Sequence, residues 1–342
     1  MRKFPFLSSV ALAAIAASPA LAQTTATVPP AAAPTTTNAT GNQDQDQIVV
    51  TGTRAVGRTR LDTVAPVDVL SANDLKHQGT PETAAALANV APSIDFPRPA
   101  VTDATDAIRP ATLRGLSPDQ TLVLINSVRA HPSALLNING SVGRGAAAVD
   151  LNTVPVAALQ SIEVLREGAS ALYGSDAIAG VINLRLRQAR TGGGATVNAS
   201  EYVTHVPAPL DPRHETDGRT LTTSVWQNLP IGNGGYLDLT GEYLDRNPTN
   251  RGDFDTRDNP PVVRSRYGDP DVKQYTGYAN LGVPIGTSDW QFVSWGGYQF
   301  RRTQSAAFPR NPSNANNVPA IYPNGFLPLI QKIGRASCRE RV

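Results

Sequence analysis

The sequence predicts an α+β domain followed by an incomplete antiparallel transmembrane β-barrel, with about five strands present. Three observations predict it. Aromatic residues are nearly absent between residues 23 and 190, where only Phe96 and Tyr173 occur, and sixteen follow from residue 191 onward, including all three Trp. Strict alternation of apolar and polar residues begins at the same place. Short turns then alternate with long polar loops, as in barrels that cross an outer membrane.

Length and composition set the limits. The 342 residues allow two ordinary domains. Charged residues make up 17% and hydrophobic ones 40%, so the chain as a whole is not disordered. After the N-terminus no apolar run reaches the length of a membrane-crossing helix. One cysteine excludes a disulfide framework or a cysteine-based zinc site, and His77, His131, His205 and His214 form no metal-binding pair. No metal and no cofactor is expected.

The two ends read as separate from the fold. Residues 1–22 are a signal peptide: Arg2 and Lys3, an apolar stretch, then Ala20-Leu21-Ala22 as cleavage site. Residues 332–342 (KIGRASCRERV) resemble a sequencing adapter translated in frame, and are expected to be a non-native tail on an N-terminal fragment. Leaving both ends out removes six basic residues and one acidic, giving 24 against 27, a net of −3. The apparent pI of 8.7 therefore gives no support to nucleic-acid binding.

Residues 23–47 contain almost no large apolar residue and predict a disordered linker. Residues 48–53 (IVVTGT) form an abrupt β-branched run. Between residues 55 and 190, helix and strand signals alternate. Thr80-Pro81-Glu82 is a helix start, with the hydroxyl as N-cap and proline in the first helical position. That helix runs to Asn89 and stops before Pro92. Residues 121–126 (TLVLIN), 161–165 (SIEVL) and 181–186 (VINLRL) are strands, with Asn126-Ser127 as a turn.

Residues 191–331 carry the period-two pattern. Leu221, Val225 and Leu229 share one parity, and Thr222, Ser224 and Asn228 the other. Leu237, Leu239 and Tyr243 oppose Asp238, Thr240 and Glu242. Tyr275, Ala279 and Leu281 oppose Gln274, Thr276 and Asn280. Trp290, Phe292, Tyr298 and Phe300 oppose Gln291, Gln299 and Arg301. Apolar side chains on one face and polar ones on the other suit lipid outside and a wet lumen inside. Residues 229–235 and 284–289 are short turns; residues 205–218 and 247–272 are long polar loops. A soluble β-sandwich is the alternative for this pattern.

Four stretches resemble TonB-dependent outer-membrane receptors: IVVTGTR (48–54), TLRGLSPDQTLVLIN (112–126), VDLNTVP (149–155) and SIEVLREGASALYGSDAIAGVINL (161–184). The last is the most specific. The resemblance implies a plug domain over residues 55–190 inside a barrel of the 22-stranded class, the size at which a lumen is plugged. It implies a bacterial outer membrane location, contact with outer-membrane lipid, and active transport of a scarce small-molecule substrate. An iron–siderophore complex is the first expectation, with cobalamin or a saccharide as alternatives.

The resemblance also implies roles for residues. Residues 48–54 match the TonB box, where Ile48, Val49, Val50, Thr51 and Gly52 would pair with an edge strand of TonB, driven by its inner-membrane energising complex. Arg114, Glu163, Arg166 and Glu167 would tie plug to wall. Arg98, in the irregular segment 96–110, and His131, Asn137, Asn139 and Arg144, in segment 129–148, would meet substrate; a tight glycine-rich loop is the plainer reading of the second segment. No catalytic residue is expected. The nucleophile-elbow, P-loop and dinucleotide motifs are missing, and Gly140, Gly143 and Gly145 stand in the wrong order for a dinucleotide loop. A secreted β-rich hydrolase is the alternative from a different class.

Overall fold

The apolar runs of the first half form a mixed sheet covered by short helices and loops. A computed structural model describes Thr51 and residues 67–341, except residues 79, 81, 103, 104, 139, 140, 167, 168, 258, 259, 288 and 289. The signal peptide, the linker, Ile48, Val49, Val50, Gly52, Asn139 and Glu167 lie outside the described residues.

The first domain contains β1 (Val67–Ser71), α1 (Ala72–Lys76), α2 (Thr83–Val90), β2 (Ile94–Asp95), β3 (Thr112–Leu113), β4 (Thr121–Ile125), β5 (Val128–Arg129), β6 (Leu159–Leu165), α3 (Ala169–Tyr173) and β7 (Gly180–Leu186). The main sheet has the order β1-β6-β7-β4-β5; only β4 and β7 run parallel. Continuous apolar runs such as TLVLI suit a sheet covered on both faces. Ile162, Val164, Ile182, Leu184, Val123 and Ile125 fill the larger core with Leu87 and Leu113. Leu165, Val181, Leu122, Leu124 and Val67 make a smaller cluster on the other face.

Local signals explain the element ends. The Asn126-Ser127 turn is as predicted: both residues take left-handed backbone, φ 48° and 68°, and join β4 to β5. The Asn126 carboxamide oxygen accepts from the Leu186 amide at 2.9 Å. Gly180, at φ 143°, has no room for a side chain, since a Cβ would lie 2.6 Å from the Leu165 carbonyl. Helix α2 corrects the predicted start. Glu82 occupies the N-cap without a side-chain cap bond, and Thr80 Oγ1 accepts from the Glu82 amide at 3.4 Å. The Glu82 carboxylate is drawn away to arginines, as shown below.

The second half is a six-stranded antiparallel meander: β8 (Gly193–Val206), β9 (Arg213–Ile231), β10 (Gly235–Arg246), β11 (Asp271–Pro284), β12 (Gln291–Ala306) and β13 (Leu329–Arg341). Among the described residues this sheet is not closed, as an incomplete barrel requires. Strand β13 adds to the five predicted and runs through the stretch read as a tail. Main-chain bonds make such a pairing, whatever the side chains. The loop expected over 205–218 is mostly strand, because β8 and β9 stay paired up to Val206↔Arg213. His205 and His214 face each other there, ring centroids 4.9 Å apart.

The predicted parity holds along the wall. Val225, Leu239, Tyr275, Phe292 and Tyr298 are exposed, whereas Thr222, Ser224, Asn228, Gln274, Thr276, Asn280 and Gln299 are buried against the first domain. Two aromatics break the outward rule. Tyr278 and Trp295 sit on the inward parity, stack at 6.4 Å, and join the larger core of the first domain. Gly297 lies opposite Tyr278 across the ladder, and a Cβ there would reach 2.2 Å from the ring.

Candidate functional site

The contact between domain and wall is built from charges that lie far apart in sequence. Glu82 is fixed by the start of α2. Arg98 and Arg109 come from the irregular segment 96–110, and Asp150 precedes a short turn whose Asn152 amide it accepts at 3.1 Å. From the wall come Arg246 at the end of β10, Asp269 in the loop before β11, and Arg301 on β12. Asp269 bridges two plug arginines, Arg98 and Arg109, both at 2.8 Å. Arg246 pairs with Glu82, and Arg301 with Asp150. The Arg109 side chain is only 3% exposed, and it also donates to the Asp106 carbonyl at 2.6 Å.

Burial alone would raise the Glu82 carboxyl, but Arg246, Arg109, Arg98 and Arg301 outweigh it and hold it at about 2. Burial pulls the Arg109 guanidinium down against the pull of Glu82 and Asp269. For Arg98, burial is outweighed by Asp269 and Glu82, and the guanidinium is raised. Asp106 moves up, chiefly through burial.

Neutral contacts extend the interface. Gln299 donates to the Asn152 carbonyl at 2.9 Å, and the Arg301 guanidinium to the same oxygen at 3.2 Å and to the Ala107 carbonyl at 2.9 Å. Asn280 donates to the Arg187 carbonyl at 2.7 Å, and Asp238 accepts from the Ala189 amide at 3.2 Å. The inward polar parity thus satisfies loop backbone that the domain leaves open. Such pairs add little net stability compared with hydrocarbon, yet losing one partner of a buried pair is costly.

The residues singled out from the sequence fall in different places. Arg98 belongs to this cluster, bonded to Asp269 and Glu82. Arg114, on left-handed backbone, donates to the Arg166 carbonyl, and Arg166 pairs with Asp68; both contacts lie inside the first domain. Glu163 is buried in the middle of the sheet with Thr51 and Asn183. Thr51 was expected in an exposed segment and is instead 1% exposed. Asn137 is buried and closes its own loop: its carboxamide donates to the Val142 carbonyl at 3.0 Å and its main chain pairs with Ala146. His131 and Arg144 are exposed. Glu82, Arg109, Asp150, Arg246, Asp269 and Arg301 were not singled out as ties; their pairing spans up to about half the chain, and no local motif signals it.

Among the described residues, no cluster of His, Cys, Asp and Glu is placed to hold a metal ion. No helix there is long and apolar enough to cross a membrane, which says nothing of strands.

The family model described as TonB-dependent Receptor Plug Domain matches residues 59–181. A vitamin B12 transporter of Vibrio vulnificus is 28% identical over 167 residues, 49% of this chain and 22% of that protein. One from Vibrio cholerae is 30% identical over 160 residues, 46% of this chain and 23% of that protein. The chain thus spans under a quarter of the length of these curated relatives. Among solved structures, a ferric enterobactin receptor mutant from Pseudomonas aeruginosa is 14% identical, with 79% of this chain and 46% of that one covered and a TM-score of 0.48. The unliganded ferric citrate transporter is 15% identical, with 73% and 32% covered and a TM-score of 0.49.

Proposed function

We propose that this chain, which carries the plug domain of the TonB-dependent receptors over residues 59–181, takes part in active transport of a scarce solute across a bacterial outer membrane. The observation that carries the reading is a plug domain seated against the polar inner face of strands whose other face is apolar. Residues 48–52 are the TonB-coupling segment, and TonB supplies the energy by contact. The charged cluster of Glu82, Arg98, Arg109 and Asp150 with Arg246, Asp269 and Arg301 is the latch that must open for passage. Substrate meets the outward plug loops that carry His131 and Arg144. The family is one of transporters and receptors, and no enzymatic role is proposed.

Two substrate classes are carried forward. Iron–siderophore complexes are the first reading, and cobalamin is supported by the vitamin B12 transporters among the relatives. Deleting residues 48–52 is expected to abolish uptake while leaving substrate binding at cells unchanged. Uptake that persists in the deletion strain would overturn the coupling role. Growth rescue on chelated iron, compared with growth dependent on added cobalamin, separates the substrates.

A further inference from the structure

His205 and His214 match no metal-binding spacing in the sequence, yet the β8–β9 ladder makes them direct partners, flanked by Val206↔Arg213 and Thr204↔Glu215. Their ring centroids lie 4.9 Å apart, with the planes at 49° to one another. Both residues are exposed. Among the described residues, no hydrogen bond holds either ring. Each ring is therefore free to turn a nitrogen towards the other without moving the main chain.

Two imidazoles on one ion have a defined spacing. Metal–nitrogen bonds of about 2.0–2.1 Å, meeting between a right angle and the tetrahedral angle, put the ring centroids about 4.5–5.5 Å apart. The observed separation falls inside that range. A packing role is a poorer account, since both rings face water and not a core.

The surroundings suit a cation. Arg213 points to the other face of the ladder and pairs with Asp211 at 2.9 Å and with Glu215 at 2.6 Å. These three leave one net negative charge beside the histidines. The closing loop, residues 207–212 (PAPLDP), has three prolines, and its Leu210 amide donates to Asp253 at 3.1 Å. A stiff, tethered loop fixes the two strands before any ion arrives. The height of the pair is also suitable. Strand β9 spans 19 residues, and about 10 suffice for a tilted crossing of hydrocarbon. His214 is the second residue from its loop end, so the pair stands in water beyond the apolar band.

We infer that His205 and His214 form a two-imidazole site for a divalent transition-metal ion at the outer end of the first hairpin. The site goes beyond the transport reading and does not depend on it. Three donors would close a cage, and among the described residues no such cluster exists. A pair leaves coordination positions open to water or to donor atoms of an incoming molecule. Imidazole suits late transition metals, whereas calcium and magnesium take oxygen donors, and affinity follows Cu2+ over Ni2+ and Zn2+. The bound ion clips β8 to β9 beyond the membrane.

The test is a titration of full-length protein carrying Cys338→Ser, in detergent, with Cu2+ alone; paramagnetic resonance reads the nitrogen couplings. One ion with two nitrogen ligands is expected. His205→Asn and His214→Asn should each weaken binding by at least about tenfold, through loss of one of two linked donors. His77→Asn, at an exposed position after α1, should change nothing. A second measurement needs no variant at the site. Zn2+ is expected to protect His205 and His214, and not His77, from diethyl pyrocarbonate. Absence of bound Cu2+, or equal affinity and couplings in both hairpin variants, overturns the site. So does weakening in only one of them, which assigns the ion to a single imidazole, and so does equal modification with and without Zn2+.

Discussion

The interior of the plug domain and its contact with the wall solve the same problem with opposite chemistry. Inside the domain, Ile162, Val164, Ile182 and Leu184 are sealed by hydrocarbon. Against the wall, Arg301, Arg246 and Asp269 meet Asp150, Glu82, Arg98 and Arg109. Burial of aliphatic side chains scales with area and needs no fixed geometry. Ion pairs depend on geometry and on exclusion of water, and they lose their advantage together once water enters. The difference teaches that the domain's interior is held by buried area, while its attachment depends on the geometry of a few charged pairs.

The sharpest way to break the comparison is to damage each side separately. Arg301→Ala leaves Asp150 buried without its guanidinium and is expected to cost about 3–5 kcal/mol at the interface. Ile162→Ala is expected to cost about 2–5 kcal/mol inside the domain. Hydrogen exchange tells them apart. Arg301→Ala should speed exchange around residues 105–110 and spare β6 and β7, whereas Ile162→Ala should do the reverse. Loss of β6 and β7 protection in Arg301→Ala would erase the distinction.

Acid should act on the attachment before it acts on the aliphatic interior of the domain. The Glu82 carboxyl is depressed in the folded chain, so its contribution is complete above about 4.5 and fades as pH falls towards about 2. Asp106 is raised, and that shift favours the folded chain in acid, so it opposes such an opening. Pepsin cleavage within residues 96–110 is expected to increase severalfold between pH 4.5 and 2, ahead of cleavage in β6 or β7. Simultaneous cleavage of both regions would argue against a separable latch. The smallest effect belongs to Arg144, which is exposed. Arg144→Ala should change stability by no more than about 0.5 kcal/mol, so any loss of substrate affinity, read by binding titration, would belong to the loop itself.

The regular parts of the fold were legible because they repeat locally. Parity placed Thr222, Gln274, Asn280 and Gln299 on the face that is buried, and the TLVLIN run located β4 and its turn. Legibility stopped where the deciding partner lies far along the chain. Glu82 reads as an ordinary first-turn acid, and Arg246, 164 residues away, together with Arg98 and Arg109, explains why it gives up capping α2. Trp295 and Tyr278 share the inward parity with Gln299 and Gln274, and alternation alone does not say that such rings join the core of the first domain. Thr51 was hidden by its hydrophobic context, since IVV suggests an exposed strand and says nothing of a buried carboxylate on β6.

The stacked rings of Tyr278 and Trp295 give the attachment a direction. On β12, Trp295 precedes Arg301 by six residues, about 20 Å of extended chain, and Tyr278 stacks on it from β11, so the apolar packing lies near the short turn and the charge near the long loops. A domain fastened in this way has a stiff end and a compliant end. Ring stacking holds one end of the contact, and ion pairs hold the other.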